Sequence, residues 1–129
     1  MIEATSEPVR YQTQLSNGVH SATSDSTRDK GGSESGFRPH ELLEAALASC
    51  MNMTLRMYAD RHGITLSGVT TRVTPNHSNS EEAAFEYEVE LQGELSEQDR
   101  TRLLDVAGRC PVRRSLSTQL TFHPTIRRP

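Results

Sequence analysis

The sequence predicts an α+β fold, and three observations carry that expectation. The run from Pro39 to about His62 has helical periodicity, Phe85 to Leu91 alternate between apolar and acidic residues, and strand-like segments come in pairs on either side of the long helical run. The predicted order is two strands, helix, two strands, helix and strand. At 129 residues the chain has the length of one compact domain, residues 1–129.

The first predicted strand is residues 8–15, PVRYQTQL, and the second begins with VHSATSDS; Asn17-Gly18 between them is a strong hairpin signal. Residues 24–38, SDSTRDKGGSESGFR, read as a long loop, and Gly31, Gly32 and Gly36 point to a flexible lid rather than a phosphate cradle. Pro39 suits the first turn of a helix and Gly63 its end. Leu43, Leu47, Cys50, Thr54 and Met57, widened by Leu42, Ala46 and Met53, form the predicted apolar stripe. A helix of this length spans roughly 35 Å, enough to serve as the central element on which a sheet packs.

Leu66–Thr74 and Phe85–Leu91 read as two strands separated by the turn-rich residues 75–82. In the second, Phe85, Tyr87, Val89 and Leu91 alternate with Glu86, Glu88 and Glu90, which predicts one buried and one wet face. Ser96-x-x-Asp99 signals a helix start, and Leu103, Val106, Ala107 and Cys110 give that helix its stripe. Pro111 cannot continue the hydrogen-bond ladder, so the helix is expected to end or kink at Cys110. A last strand is predicted at Thr118–His123.

Hydrophobic residues make up 33% of the chain and tryptophan is absent. Globular domains usually carry about 45–50% apolar residues including glycine, so a core completed by a second subunit is expected. A net charge of −3 excludes an overall basic field that would attract nucleic acid or anionic lipid; the Arg113-Arg114 and Arg127-Arg128 pairs are local exceptions. The stretch MIEATSEPVRYQT shows no basic region followed by an apolar run, and no segment approaches membrane-spanning length, so a cytoplasmic protein with no membrane partner is expected.

Five scattered histidines and two cysteines form no recognised metal spacing, so neither a metal nor another cofactor is expected. Cys50 and Cys110 lie on the stripes of two helices that face the same core, which makes a thiol pair geometrically reasonable; spacing alone favours two small buried hydrophobes. If Pro111 begins a new helical turn, Cys110 becomes its N-cap, where free N–H groups favour thiolate and Arg109, Arg113 and Arg114 add positive charge. The carbonyl end of the preceding helix acts in the opposite sense.

These residues carry a resemblance. Pro39-His40-Glu41-Leu42-Leu43 through Ala48-Ser49-Cys50 resembles the first cysteine motif of the OsmC/Ohr family, and Ala107-Gly108-Arg109-Cys110-Pro111-Val112-Arg113-Arg114-Ser115-Leu116 resembles the second. Element order, the glycine-rich loop and the cysteine spacing match along nearly the whole chain. The resemblance implies an OsmC-like fold in which an antiparallel sheet wraps a long central helix, with two subunits intertwined as a homodimer. It also implies that Cys50 is the peroxidatic thiolate attacking an organic or inorganic hydroperoxide, and that Cys110 is the resolving thiol whose disulfide with Cys50 is reduced by an external dithiol.

Peroxidase members of the family also use an arginine to activate the first cysteine and a carboxylate to orient that arginine. In those members the acid directly follows the proline of the first motif; here His40 stands in that place and the acid is Glu41, about 100° further round the helix. Arg28 and Arg38 are the candidates for the arginine. This pattern is closer to the broader OsmC-like branch than to dedicated organic hydroperoxide reductases. Two functional readings follow: a thiol peroxidase of oxidative-stress defence, and a non-enzymatic protein that binds a small hydrophobic ligand in the dimer groove.

Overall fold

The computed structural model describes residues 1–78 and 81–128, so residues 79 and 80 of the expected turn at 75–82 lie outside the described residues. It divides into two compact units, Met1–Ala45 and Ala46–Pro129. The chain is α+β, with two antiparallel sheets.

The first unit contains a three-stranded meander of β1 (Glu3–Ser6), β2 (Thr13–Ser16) and β3 (Ser21–Ser24). The sequence gives no hint of β1, because Glu-Ala-Thr-Ser has neither apolar alternation nor β-branched enrichment; it exists by pairing Glu3 with Ser16 through Ser6 with Thr13. The strand expected at 8–15 is a turn over its first half: Gln12 N–H donates to Val9 O, Glu7 N–H donates to Gln12 O, and Tyr11 has a positive φ of 71°. The Asn17-Gly18 hairpin is present, with four residues between the paired Ser16 and Ser21. Asn17 N–H donates to His20 O at 3.2 Å, while Asn17 Oδ1 accepts the N–H groups of Val19 and His20, so the side chain completes the turn.

Beyond β3 the chain is bonded around one carboxylate, where a flexible lid was expected. Asp25 is buried; its Oδ1 accepts Ser26 N–H at 2.7 Å and its Oδ2 accepts the N–H groups of Ser33 and Ser35, each at 3.1 Å. A short 3-10 turn at Arg28–Lys30 lies within this loop. The glycines serve close backbone approach: a Cβ on Gly32 would lie 2.1 Å from Ser26 O, and one on Gly36 would lie 2.0 Å from Thr23 O.

Helix α1 runs from Pro39 to His62 and passes from the first unit into the second. Its buried residues, Leu47, Met51, Leu55 and Ala59, recur at steps of four. This differs from the predicted stripe, of which only Leu47 is buried; Leu43, Met53 and Met57 are exposed, the last two at 60% and 55%. The reason is visible in the sequence: α1 is apolar on more than one side, so periodicity alone does not select the face that packs against its own sheet.

In the second unit β4 (Gly68–Asn76) pairs antiparallel with β5 (Ala84–Gln92), from Gly68 opposite Gln92 to Asn76 opposite Ala84. Val69, Val89 and Leu91 pack on the cluster of Leu55, Ala59, Ile64, Leu66, Leu103 and Ala107. Glu88 and Glu90 on the other face both reach Arg72 of β4, at 3.6 and 3.2 Å. The expected division into one buried and one wet face is therefore met, although Tyr87 is only partly covered.

Helix α2 (Glu97–Ala107) begins as expected, with Ser96 Oγ accepting Asp99 N–H at 3.1 Å. It ends three residues before Cys110, and a further helix, α3 (Pro111–Leu116), follows. Proline disfavours helical geometry in the residue before it, and Cys110 accordingly has the extended angles φ −63° and ψ 144°. The strand expected at Thr118–His123 is absent, for those residues pair with no strand among the described residues. Alternation supplies a face but not a partner; here Leu120 and Phe122 remain exposed.

Candidate active site

Cys50 and Cys110 are brought together in the second unit. Cys50, half-buried on α1, packs on a cluster formed by Leu47, Met51 and the fully buried Cys110, together with Val73 of β4, Phe85 of β5 and Val112 of α3. Both sulfurs are free thiols.

Cys110 is the N-cap of α3. Its Sγ accepts the backbone N–H of Arg113 at 3.4 Å, and Pro111 occupies the first helical position, where its missing N–H costs nothing. Because α2 has already ended at Ala107, Cys110 belongs to the start of α3 and not to the carbonyl end of α2. Burial nevertheless pushes the Cys110 thiol above its ordinary pKa. The Arg113 N–H and, more weakly, the Arg113 charge pull it down, while the hydrogen bond and charge of Cys50 push it further up. The result is a fully buried thiol that ionises less readily than usual, set against a more accessible one.

Among the flanking arginines, Arg113 is exposed and turns back along the chain: its Nη1 donates to Gly108 O at 2.9 Å. Arg109 instead pairs with Asp105 on α2.

The other expected site residues lie in the first unit. Arg38 and Glu41 form a close pair. Glu41 Oε1 accepts Arg38 Nε at 2.9 Å and Nη2 at 2.7 Å, while Oε2 accepts Arg38 N–H at 2.9 Å. Glu41 stands three residues after Arg38, the spacing at which a carboxylate reaches back to the N-cap amide. The Arg38 guanidinium and N–H hold the Glu41 carboxyl below its usual range. Arg28 is engaged elsewhere, its Nε donating to Glu34 Oε2 at 3.2 Å. Among the described residues no group of three or more His, Cys, Asp or Glu is arranged to hold a metal ion, and no helix is long and apolar enough to cross a membrane.

Sequence reasoning missed the inner wall of the thiol site, Met51, Val73, Phe85 and Val112, and the tie from Arg113 to Gly108. Met51 was recoverable from the four-residue step that begins at Leu47. The Arg113 tie depends on where α2 stops, which helix-end signals locate only to within a residue or two.

Comparison with known proteins agrees with this architecture. The model of the OsmC-like protein family matches residues 31–124. Among solved structures, the chain is similar to a proposed osmotic stress induced and detoxification response protein from Psychrobacter arcticus, at 23% identity and a TM-score of 0.74, covering 95% of this chain and 88% of that one. An OsmC-like protein from Mycoplasma pneumoniae gives 21% identity and a TM-score of 0.69 over 90% and 85% of the two chains. The organic hydroperoxide resistance protein OhrB of Bacillus subtilis gives 18% and 0.59 over 91% and 89%. No curated protein matches the chain.

Proposed function

The chain belongs to the OsmC-like protein family, and from that premise we propose that it is a thiol-dependent peroxidase reducing organic or inorganic hydroperoxides through Cys50 and Cys110. The observation that carries the proposal is the asymmetric thiol pair: a half-buried Cys50 packed on a fully buried Cys110. That division suits the two roles, since the attacking sulfur must meet a substrate and the resolving sulfur must meet only the first.

In the proposed cycle the Cys50 thiolate attacks the terminal oxygen of the hydroperoxide. The O–O bond breaks, the alkoxide leaves and takes a proton to become an alcohol, and Cys50 is oxidised to a sulfenic acid. Cys110 then attacks the Cys50 sulfur, and the sulfenic oxygen departs as water once the Cys110 proton is accounted for. An external dithiol takes up the disulfide's two oxidising equivalents and restores both thiols. No cofactor enters this chemistry. The Arg38–Glu41 pair is the candidate activating pair, with Glu41 orienting the guanidinium from its shifted position; Arg28, already paired with Glu34, is the second candidate.

We place this activity in a single OsmC-like domain that acts as a cytoplasmic, intertwined homodimer in stress defence. The exposed methionines of α1, and separately the exposed Leu120 and Phe122 after α3, support a second copy covering apolar side chains that this chain leaves open. Sedimentation of the purified protein as a monomer at micromolar concentration would contradict the dimer.

The test of the activity is consumption of an organic hydroperoxide by the pure protein supplied with a dithiol. Turnover is expected for the natural chain and absent for Cys50→Ser; equal turnover by the two would reject the enzyme. A groove of about 310 Å³ lined by Asn52, Met53, Arg56, Met57 and Val69 favours the second reading, binding of a small hydrophobic ligand without chemistry. Under that reading, added peroxide causes no stoichiometric loss of free thiols.

A further inference from the structure

Arg113 makes two contacts at the two ends of the linker that carries Cys110, and the thiol chemistry does not by itself call for either. Its backbone N–H donates to Cys110 Sγ at 3.4 Å, and its guanidinium donates to Gly108 O at 2.9 Å. Gly108 closes α2, and Pro111 opens α3. The three residues between the helices, Gly108, Arg109 and Cys110, are thus tied at their start by the Arg113 side chain and at their end by its main chain. A carbonyl at a helix C-terminus carries partial negative charge, so the cation completes that end electrostatically as well.

The consequence concerns where the Cys110 sulfur stands. Cys110 is fully buried between Leu47, Cys50 and Met51 of α1, Val73, Phe85 and Val112. Four of the five apart from Cys50 are smooth apolar side chains and the fifth is a thioether, so none of them fixes the sulfur by a strong hydrogen bond. Besides the main-chain bonds from Arg109 N–H to Val106 O at 2.9 Å and from Arg114 N–H to Cys110 O at 3.1 Å, orientation along the linker rests on the tie at Gly108 and the cap at Sγ. The Arg109 side chain contributes no such tie, being paired with Asp105.

We propose that Arg113 is a positioning residue for the resolving thiol: by clamping the linker from Gly108 to Cys110 it holds the Cys110 sulfur turned onto Cys50. This rests on Cys50 and Cys110 forming a disulfide, but it does not need peroxide to be the natural oxidant. The ionisable and charged groups facing Cys110 in its cluster and cap are Cys50 on α1 and Arg113 on α3, the faces of β4 and β5 there being Val73 and Phe85. Loss of the Arg113 cation also removes one influence that eases ionisation of Cys110.

The experiment uses an aromatic disulfide reagent as oxidant. The Cys50 thiolate displaces one aryl thiolate and forms a mixed disulfide; the Cys110 thiolate then attacks the Cys50 sulfur, forms the protein disulfide and expels a second aryl thiolate. The two releases are timed separately, and Cys110→Ser identifies the second by losing it. Arg113→Gln is expected to leave the first release unchanged and to slow the second about tenfold, since small misplacements of a reacting group cost rate on this order. The pH profile of the second release is expected to move upward, and Arg113→Lys to recover part of the rate. Arg114→Gln, which removes the neighbouring charge, is expected to leave the second release unchanged. A lowered melting temperature in Arg113→Gln with an unaltered second release would overturn the proposal, as would equal slowing by Arg114→Gln. A protein that completes both releases but consumes no hydroperoxide would instead overturn the peroxidase reading and leave the positioning result intact.

Discussion

The carboxylate of Glu41 holds Arg38 at three points, accepting its main-chain N–H and two nitrogens of its guanidinium. The acid that stands one place beyond the position expected for it in the first cysteine motif therefore still engages an arginine. If this pair activates the peroxidatic thiol, Glu41→Gln is expected to lower hydroperoxide turnover by about tenfold or more, because a freed guanidinium loses its fixed geometry. Arg38→Gln is expected to do the same, and the double variant to be little worse than either single one, as for residues acting as a unit. Steady-state rates for the three proteins check this; additive losses would mean independent roles.

A second expectation concerns Asp25. Main-chain N–H groups of Ser35, Ser26 and Ser33 hold its carboxyl below the usual range against the opposing effect of burial. A carboxyl whose folded pKa is depressed contributes stability that is present above its unfolded pKa, about 3.9, and is lost as pH falls through the folded value. Melting temperature is therefore expected to fall as the solution is taken below pH 4, and Asp25→Asn to shift less over that interval while melting lower than the natural chain at pH 7. Parallel acid profiles for the two proteins would show that Asp25 contributes nothing to the acid limb.

Core and surface leucines of α2 give a third. Leu103 is fully buried with Leu55, Ala59 and Ala107, whereas its neighbour Leu104 is 51% exposed. Leu103→Ala is expected to cost about 2–5 kcal/mol in a urea titration, and Leu104→Ala within about 0.5 kcal/mol of nothing. A large loss at Leu104 in the purified protein would indicate that this side chain is covered in the assembled state, so the comparison also probes the proposed dimer.

The limits of legibility in the sequence have physical causes in particular residues. Ser96 and Asp99 announced the start of α2, and the alternation of Val89 and Leu91 with Glu88 and Glu90 gave β5 both of its faces, because each of these signals is satisfied by atoms a few residues away or directly across a two-stranded sheet. The packed face of α1 was not legible: Met53 and Met57 are as apolar as Met51 and Leu55, and choosing among them requires knowing what lies opposite. The polar strand β1 and the segment Thr118–His123, which pairs with no strand among the described residues, show the same limit from both sides, since a strand depends on its partner. At the site, the two cysteine motifs foretold the thiol cluster and Pro111 foretold the cap. The Arg113 tie depends on where α2 ends, and Pro111 fixed that only by excluding helical geometry at Cys110 itself.

The cap offers a prediction that separates folding from chemistry at one position. Cys110 Sγ receives the Arg113 N–H, and a serine oxygen in its place is a better acceptor in the same role, while alanine provides none. Cys110→Ala is therefore expected to be less stable than Cys110→Ser by about 0.5–2 kcal/mol, the usual range for removing an N-cap side chain. Both variants lose the resolving thiol, so neither closes a disulfide, and Cys50 should accumulate as a sulfenic acid that dimedone traps in equal yield in the two proteins. Urea titration reads the first quantity and mass spectrometry the second. Equal stabilities would mean that the sulfur does not cap α3, whereas unequal trapping would mean that the fold of α3 governs the reactivity of Cys50 as well as its resolution.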